Sequence, residues 1–272
     1  MPPVVIDTPW YQVRWRGELP FSRVSLTYDR EMALHFTGSE REYIEREWVR
    51  VSRGSSWIFD LPLYRLLSAT GDASCLVLWA GKTSYKEYLC TNVAKPYWAI
   101  DNPDLKMANP LAISIVAVTA DSRIIVQRRS ELVAKYPGRL HITPSGHIHP
   151  PHSLEEAVYD ELFGEIAVRP DEVAGEMVAT GLIVNKEDTK PELTARIHLT
   201  ISFDEILARS AHEGWEYREI IPYAWEGNTV GGLLTDRNDE LVPPGHAAIL
   251  LAGAVDFGER WLDRVIISGD RS

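Results

Sequence analysis

Hydrophobic and polar positions divide the chain into short alternating runs and one well-marked amphipathic helix. Tyr11–Trp15 alternates as a strand, and Ser39 with Glu42 forms a capping box before a helix whose Ile44, Trp48 and Val51 share one face. The apolar cluster Trp57–Pro62 predicts a packed loop, Cys75–Trp79 a strongly apolar strand, and Thr83–Leu89 a short helix or turn. Leu111–Val118 and Arg123–Arg129 flank the polar turn Thr119–Ser122, which is a hairpin signal. Val178–Val184 and Leu193–Phe203 are expected strands, Glu213–Pro222 leads into another, and Ala247–Val255 closes the domain as an apolar helix. These elements predict an α/β chain: an α/β/α sandwich around a mixed sheet over residues 109–272, preceded by a small α+β unit over residues 1–108. The turn formers between Asn102 and Pro110 mark the boundary.

The clearest periodicity lies within Leu140–Val168. Strand, glycine turn and proline-rich loop lead to a helix opened by Ser153 with Glu156 as its capping box, and Leu154, Val158, Leu162 and Ile166 form its apolar stripe. Glu161 and Glu165 stand one turn apart at the edge of that stripe, with Cβ atoms roughly 5–6 Å apart. Like charges on a partly buried edge repel unless a cation or a proton neutralises them. Mg²⁺ (or Mn²⁺) suits such oxygen donors; the alternative is a pair that simply faces solvent.

Charge refines this picture. The 272 residues carry 28 Lys plus Arg against 39 Asp plus Glu, a formal net charge of −11. Residues 1–108 hold 13 basic and 13 acidic side chains, so the whole imbalance lies in the second half. Such a half can host divalent cations or merely keep the surface soluble, and it argues against nucleic acid as the main partner. Cys75 and Cys90 are too few for a four-cysteine zinc site, and together with the lack of a leader-like start they point to a reduced, cytoplasmic protein. No apolar run approaches the roughly 20 residues of a membrane span, so no membrane partner is expected. Oligomeric state is not legible.

The segment from Gly146 resembles the Nudix box, which reads Gly, five residues, Glu, seven residues, then Arg-Glu-apolar-any-Glu-Glu-any-Gly-apolar. Spacing is kept without a gap, and Glu161 and Glu165 fall on two of its glutamates. His152 stands where the upstream Glu belongs, Asp160 where the Arg does, Gly164 replaces the first Glu of the pair, and Ala167 replaces the final Gly. Trp57–Leu66, Gly81–Asn92, Asn109–Leu111 and Gln127–Ser130 further resemble the UDP-sugar diphosphatase branch of the Nudix superfamily, whose boxes are also irregular. The likeness runs over roughly residues 25–255. It implies a Nudix-like fold and Mg²⁺-dependent cleavage of a nucleotide-sugar diphosphate, most simply UDP-glucose or UDP-galactose to UMP and sugar 1-phosphate.

On that resemblance, Glu161 and Glu165 bind the metal together with the Ser145 carbonyl. Glu187 and Asp188, in a charged loop after a strand, are candidates for the general base. Strand alternation sends Arg128 and Arg129 to opposite faces, one to grip a diphosphate and the other to serve structure. Thr91 and Asn92 are candidates for recognising uracil or ribose. His147 and His149, with His141 and His152 nearby, suit either substrate shaping or a Zn²⁺ site. Two other functions stay open: a ligand-binding or regulatory protein that kept the pocket and lost hydrolysis, and a scaffold redirected to another, biosynthetic reaction.

Overall fold

A computed structural model describes residues 6–53, 58–94, 107–209 and 214–269. Its central element is an eight-stranded mixed sheet in the order β1 (Tyr11–Pro20), β9 (Val173–Asn185), β10 (Pro191–Leu199), β5 (Ala112–Val118), β6 (Arg123–Arg129), β11 (Tyr217–Ala224). Two short strands, β7 (Leu140–Ile142) and β8 (Ser145–His147), pair with β6 and β5 respectively. Only β10 and β5 run parallel along the main path with a register from Glu192↔Ala112 to His198↔Val118. All seven residues of β5 are buried, as expected for a strand covered on both faces. Ile113, Ile115 and Ala117 enter one core, and Val116 and Val118 the other.

The first core is covered by helix α3 (Leu154–Ile166) and by a smaller sheet, β2 (Val24–Ala33), β4 (Leu76–Ser84), β3 (Pro62–Gly71). Leu154, Val158, Leu162 and Ile166 are buried there, in the stripe the sequence predicts, and the Ser153–Glu156 capping box forms. The second core is covered by α5 (Gly227–Asp236), α6 (Pro243–Phe257) and α7 (Glu259–Gly269). Helix α6 is apolar nearly all round because it lies between the sheet and α7. Gly253 makes that crossing possible: a Cβ there would lie 2.4 Å from the Trp261 ring.

The hairpin of β5 and β6 forms, but the two strands pair only at Val118↔Ile124 and then splay, and β7 and β8 fill the opening. This wedge puts Ser145 and Gly146 inside the sheet's mouth. Helix α1 (Gly38–Ser52) starts two residues earlier than its pattern suggests, because Thr37 and Glu40 form the capping box and not Ser39 and Glu42. Both pairs fit the same spacing rule, and the extended backbone of Thr37 decides between them. The expected strand to Phe203 ends at Leu199, since Ser202 caps the short helix α4 (Phe203–Leu207). The helix of Ala247–Val255 is not the last element, because α7 follows it. Trp57 and Glu213 lie outside the described residues. Of the loop expected to pack after Trp57, Phe59 and Leu61 are exposed, and Pro62 already opens β3.

The boundary placed at residues 108 and 109 is crossed in both directions. Strand β1 joins the large sheet through Tyr11↔Asn185 to Pro20↔Val178. Tyr64 of β3 donates its N–H to the Ile148 carbonyl at 3.2 Å and accepts the Leu111 N–H at 2.7 Å. A short helix α2 (Tyr85–Tyr88) and a π turn over Leu89–Val93 complete the contact between the small sheet and the large one.

Candidate active site

One turn of α3 and the β7–β8 wedge build a carboxylate floor. Glu165 is 1% exposed; the Thr143 hydroxyl donates to its Oε2, and the Ser145 N–H donates to Oε1 at 3.2 Å. Burial, then the negative charge of Glu216, push its pKa up to about 8. Glu161, one turn earlier and half-buried, lies against Gly146 so closely that a Cβ on that glycine would sit 1.8 Å from Oε1. Gly146 therefore leaves the space that the Glu161 carboxylate occupies. Glu216, which ends a 3₁₀ turn just before β11, supplies a third carboxylate to the same neighbourhood. The motif has a glutamate at position 164, where this chain has glycine.

These side chains open onto a cleft of about 340 Å³ whose lining includes Ser145, Gly146, Glu161 and Glu216. The same lining includes Arg129, Lys135 and Lys190. The Arg129 Nε donates to the Lys135 carbonyl at 3.2 Å, and Lys190 lies 3.0 Å from the buried Glu192. The positive potential of these groups is felt by His147, which burial holds well below its ordinary pKa, helped by Lys190, Arg129 and Lys135. His141 is held neutral by burial too, with Arg129 and Lys190 adding to the effect. Aromatic rings complete the cavity. Tyr85 and Tyr88 pack on His147 with ring centroids 5.7 and 5.1 Å away, and Trp215 lines the same space.

The donor set meets the test for a hard divalent cation. Two acidic side chains, Glu161 and Glu165, lie at the wedge, and burial, with the charge of Glu216 second, favours the uncharged form of Glu165, a cost that a bound cation would offset.

Of the residues singled out from the sequence, Ser145, Glu161, Arg129, His147 and His149 line this cleft, and Glu165 lies just beneath it. Arg128 faces the other way, donating to the Gly138 carbonyl at 3.0 Å and to Glu240 at 3.2 Å. Four more lie outside the cleft lining. Thr91 and Asn92 are buried, with Thr91 Oγ1 donating to the Glu87 carbonyl at 2.7 Å. The Asn92 amide is used up on Asn109, the Asp188 carbonyl and Thr189, so neither side chain reaches a nucleotide. Asp188 is 1% exposed, held by the Tyr88 hydroxyl at 2.8 Å and by Lys135, and Glu187 accepts from Tyr136. Neither carboxylate is among the residues that line the cleft. His147 and His149 share the cleft, but His149 has His152 for its ring neighbour, with centroids 4.3 Å apart. Glu216, Lys135 and Lys190 were missed; they come from separate loops, and no local motif marks them.

No family model matches the chain. Over 115 residues it is 37% identical to the uridine diphosphate glucose pyrophosphatase NUDT22 of Mus musculus, covering 38% of this chain and 37% of that protein. Over 171 residues it is 32% identical to the protein of the same name from Bos taurus, covering 56% and 57%. The aligned part thus spans between about a third and just over half of these relatives. A solved MutT protein from Methanosarcina mazei Go1 aligns at a TM-score of 0.33 with 17% identity, covering 57% of this chain and 91% of that one. In sequence, then, the chain is similar to the Nudix-type UDP-glucose pyrophosphatases.

Proposed function

We propose that the chain is a metal-dependent diphosphatase of nucleoside-diphosphate-linked substrates, with UDP-sugars as the first class to try. The observation that carries this reading is the mixture of charges at one cleft: Glu161 and Glu216 line it with Glu165 buried beneath, and Arg129, Lys135 and Lys190 line it too. A diphosphate needs both, a cation for its bridging region and fixed positive groups for its remaining oxygens. The names of the mammalian relatives supply the nucleotide and the sugar.

Glu161 and Glu165, with the Ser145 carbonyl, would hold Mg²⁺ or Mn²⁺. Bound there, the ion supplies charge neutralisation and polarisation of a phosphoryl oxygen. The chain's own groups do the remainder. Arg129 offers a planar, two-pronged donor to phosphate oxygens, and Lys190 and Lys135 add point charges. Tyr85 and Trp215, both partly exposed in the cleft lining, are the rings on which a base can stack. Glu216 faces the same space and accepts the proton of the attacking water. Water adds to one phosphorus, the bridging P–O bond breaks, and two monophosphates leave: UMP and sugar 1-phosphate for a UDP-sugar.

A second reading is favoured by Gly164, which deprives the helix of one motif carboxylate: a protein that binds the nucleotide sugar without cleaving it. Mass-spectrometric product analysis with Mg²⁺ or Mn²⁺ and a panel of nucleotide sugars, beside Glu165→Gln, separates the two. Formation of UMP and sugar 1-phosphate, lost in the variant, establishes the hydrolase. Tight binding with no product across the panel sinks it in favour of the binding protein.

A further inference from the structure

A second cluster of ligating side chains lies beside α3, where His149 borders the cleft that Glu161 also lines. His149 and His152 close a tight turn in which the His152 N–H donates to the His149 carbonyl at 3.0 Å, and their ring centroids lie 4.3 Å apart with the planes tilted by 47°. Asp160, on the exposed face of α3, brings its Oδ2 to 2.8 Å from His152 Nδ1. That nitrogen is shielded from solvent and has no hydrogen-bond partner, so the contact is close without being a hydrogen bond. One ligand atom from each of the three residues lies within 4.8 Å of the other two.

We infer that His149, His152 and Asp160 form a site for a divalent transition ion of the Zn²⁺ class, separate from the Glu161–Glu165 carboxylates. Two imidazoles and one carboxylate are a donor set that borderline ions favour and that Mg²⁺ does not. Around a tetrahedral ion with bonds of about 2.1 Å, donor atoms stand roughly 3.4 Å apart. The three donor atoms, already within 4.8 Å of one another, need to close by no more than about 1.4 Å to reach that spacing, and Asp160 is exposed. Three protein ligands leave a fourth position for water or an incoming donor. Its placement gives the ion a structural consequence. His149 lines the 340 Å³ cleft, and His152 lines a second cleft of about 670 Å³ bounded by Phe21, Tyr64, Tyr159 and Glu176. An ion here would fasten the 147–153 loop to α3 between the two.

The test uses the full chain stripped of metal, titrated with Co²⁺ for its visible d–d absorption and with Zn²⁺ against a chromophoric chelator. We expect one equivalent bound with a tetrahedral Co²⁺ spectrum, undisturbed by a large excess of Mg²⁺ and retained in Glu165→Gln. His149→Ala, His152→Ala and Asp160→Asn should each weaken it by roughly 10–100-fold or more. Thermal melts of the metal-free variants report whether each still folds, and all three positions are exposed enough to tolerate the change. Absence of a Co²⁺ band, affinity unchanged in the three variants, or loss of the band in Glu165→Gln would each overturn the assignment.

Discussion

At the level of single residues, the four departures from the motif have different physical meanings. His152 and Asp160 occupy the positions of its Glu and Arg, and they face each other at 2.8 Å, so the basic and the acidic side chain have exchanged places. Ala167 sits where the motif has its last glycine, as the residue that ends α3, with φ of 54° in the left-handed region. A side chain there costs roughly 1–2 kcal/mol, part of which is offset by the greater freedom of glycine in the unfolded chain. Ala167→Gly should therefore stabilise by about 1 kcal/mol, seen as a rise of about 2–4 °C in Tm; an unchanged or lower Tm would contradict the strain. Gly164 is the departure that touches chemistry, because it removes a carboxylate, and Glu216 brings one to the same neighbourhood from outside the helix. Its charge contributes to a second prediction. Glu165 has a folded pKa near 8, above its ordinary value, so the metal-free fold is favoured by a protonated carboxyl. That contribution is complete below about pH 4.5 and is lost as pH rises through about 8. Urea denaturation of the metal-free protein should show stability declining over this window, and Glu165→Gln should flatten the decline. Added Mg²⁺ should do the same by replacing the proton. A wild-type profile with no slope between those limits would show that Glu165 is not so perturbed.

At the level of elements, what was legible in the sequence is what is local. Helix α3 is specified by a cap, a stripe and a spacing that all lie within fifteen residues of Ser153, and each of them forms. The other charged groups of the cleft are not local to α3: Lys135 and Lys190 come from loops, and Glu216 from a turn before β11, brought together only by sheet order. Thr91 and Asn92 misled for a related reason, since a polar pair in a motif-like stretch looks the same whether it faces a ligand or is spent inside a π turn. The end of α3 depends on another non-local clamp. The Arg209 guanidinium donates to both oxygens of the buried Glu172 at 2.7 and 2.8 Å and to the Ala167 carbonyl at 3.0 Å, tying α3 to the start of β9 and the end of α4. These hydrogen bonds hold the Glu172 pKa down to about 2. The stabilisation is thus present above the ordinary carboxylate range and disappears as pH falls from about 4.5 toward 2. Arg209→Ala should cost about 1–3 kcal/mol at neutral pH and much less at pH 2, where the wild type has lost the same interaction. Equal losses at both pH values would mean that Arg209 contributes packing and not charge.

At the level of the whole molecule, the cleft exists because two sheets share it. The large sheet and α3 supply the carboxylates and the arginine, whereas Leu63, Tyr85, Tyr88 and Leu89 come from the smaller unit. What fixes the second against the first is a buried polar seam. Asn92 donates to Asn109 Oδ1 and to the Asp188 carbonyl, both at 2.7 Å, and to Thr189 Oγ1 at 3.1 Å, while its own Oδ1 accepts the Asn109 N–H at 3.2 Å. Beside it, the Tyr88 hydroxyl and Lys135 meet on Asp188. A tyrosine that forms the cleft wall is thereby tied to the loop after β9, and Lys135 joins the cationic groups to the same carboxylate. Asn92 acts on the cleft through this seam, as a positioning residue. Asn92→Ala should leave several buried partners unpaired and lower stability by about 1–3 kcal/mol. Because the π turn that holds Asn92 begins where Tyr88 ends, the variant should also raise KM for a nucleotide sugar more than it lowers kcat, with the effect growing with temperature. Asn92→Asp, of the same size but unable to donate to its acceptors, should be worse on both counts. Equilibrium unfolding beside steady-state kinetics separates positioning from direct contact. A variant as stable as wild type, with its preference among nucleobases changed and its temperature dependence not, would place Asn92 against the substrate and break the link between the seam and the wall.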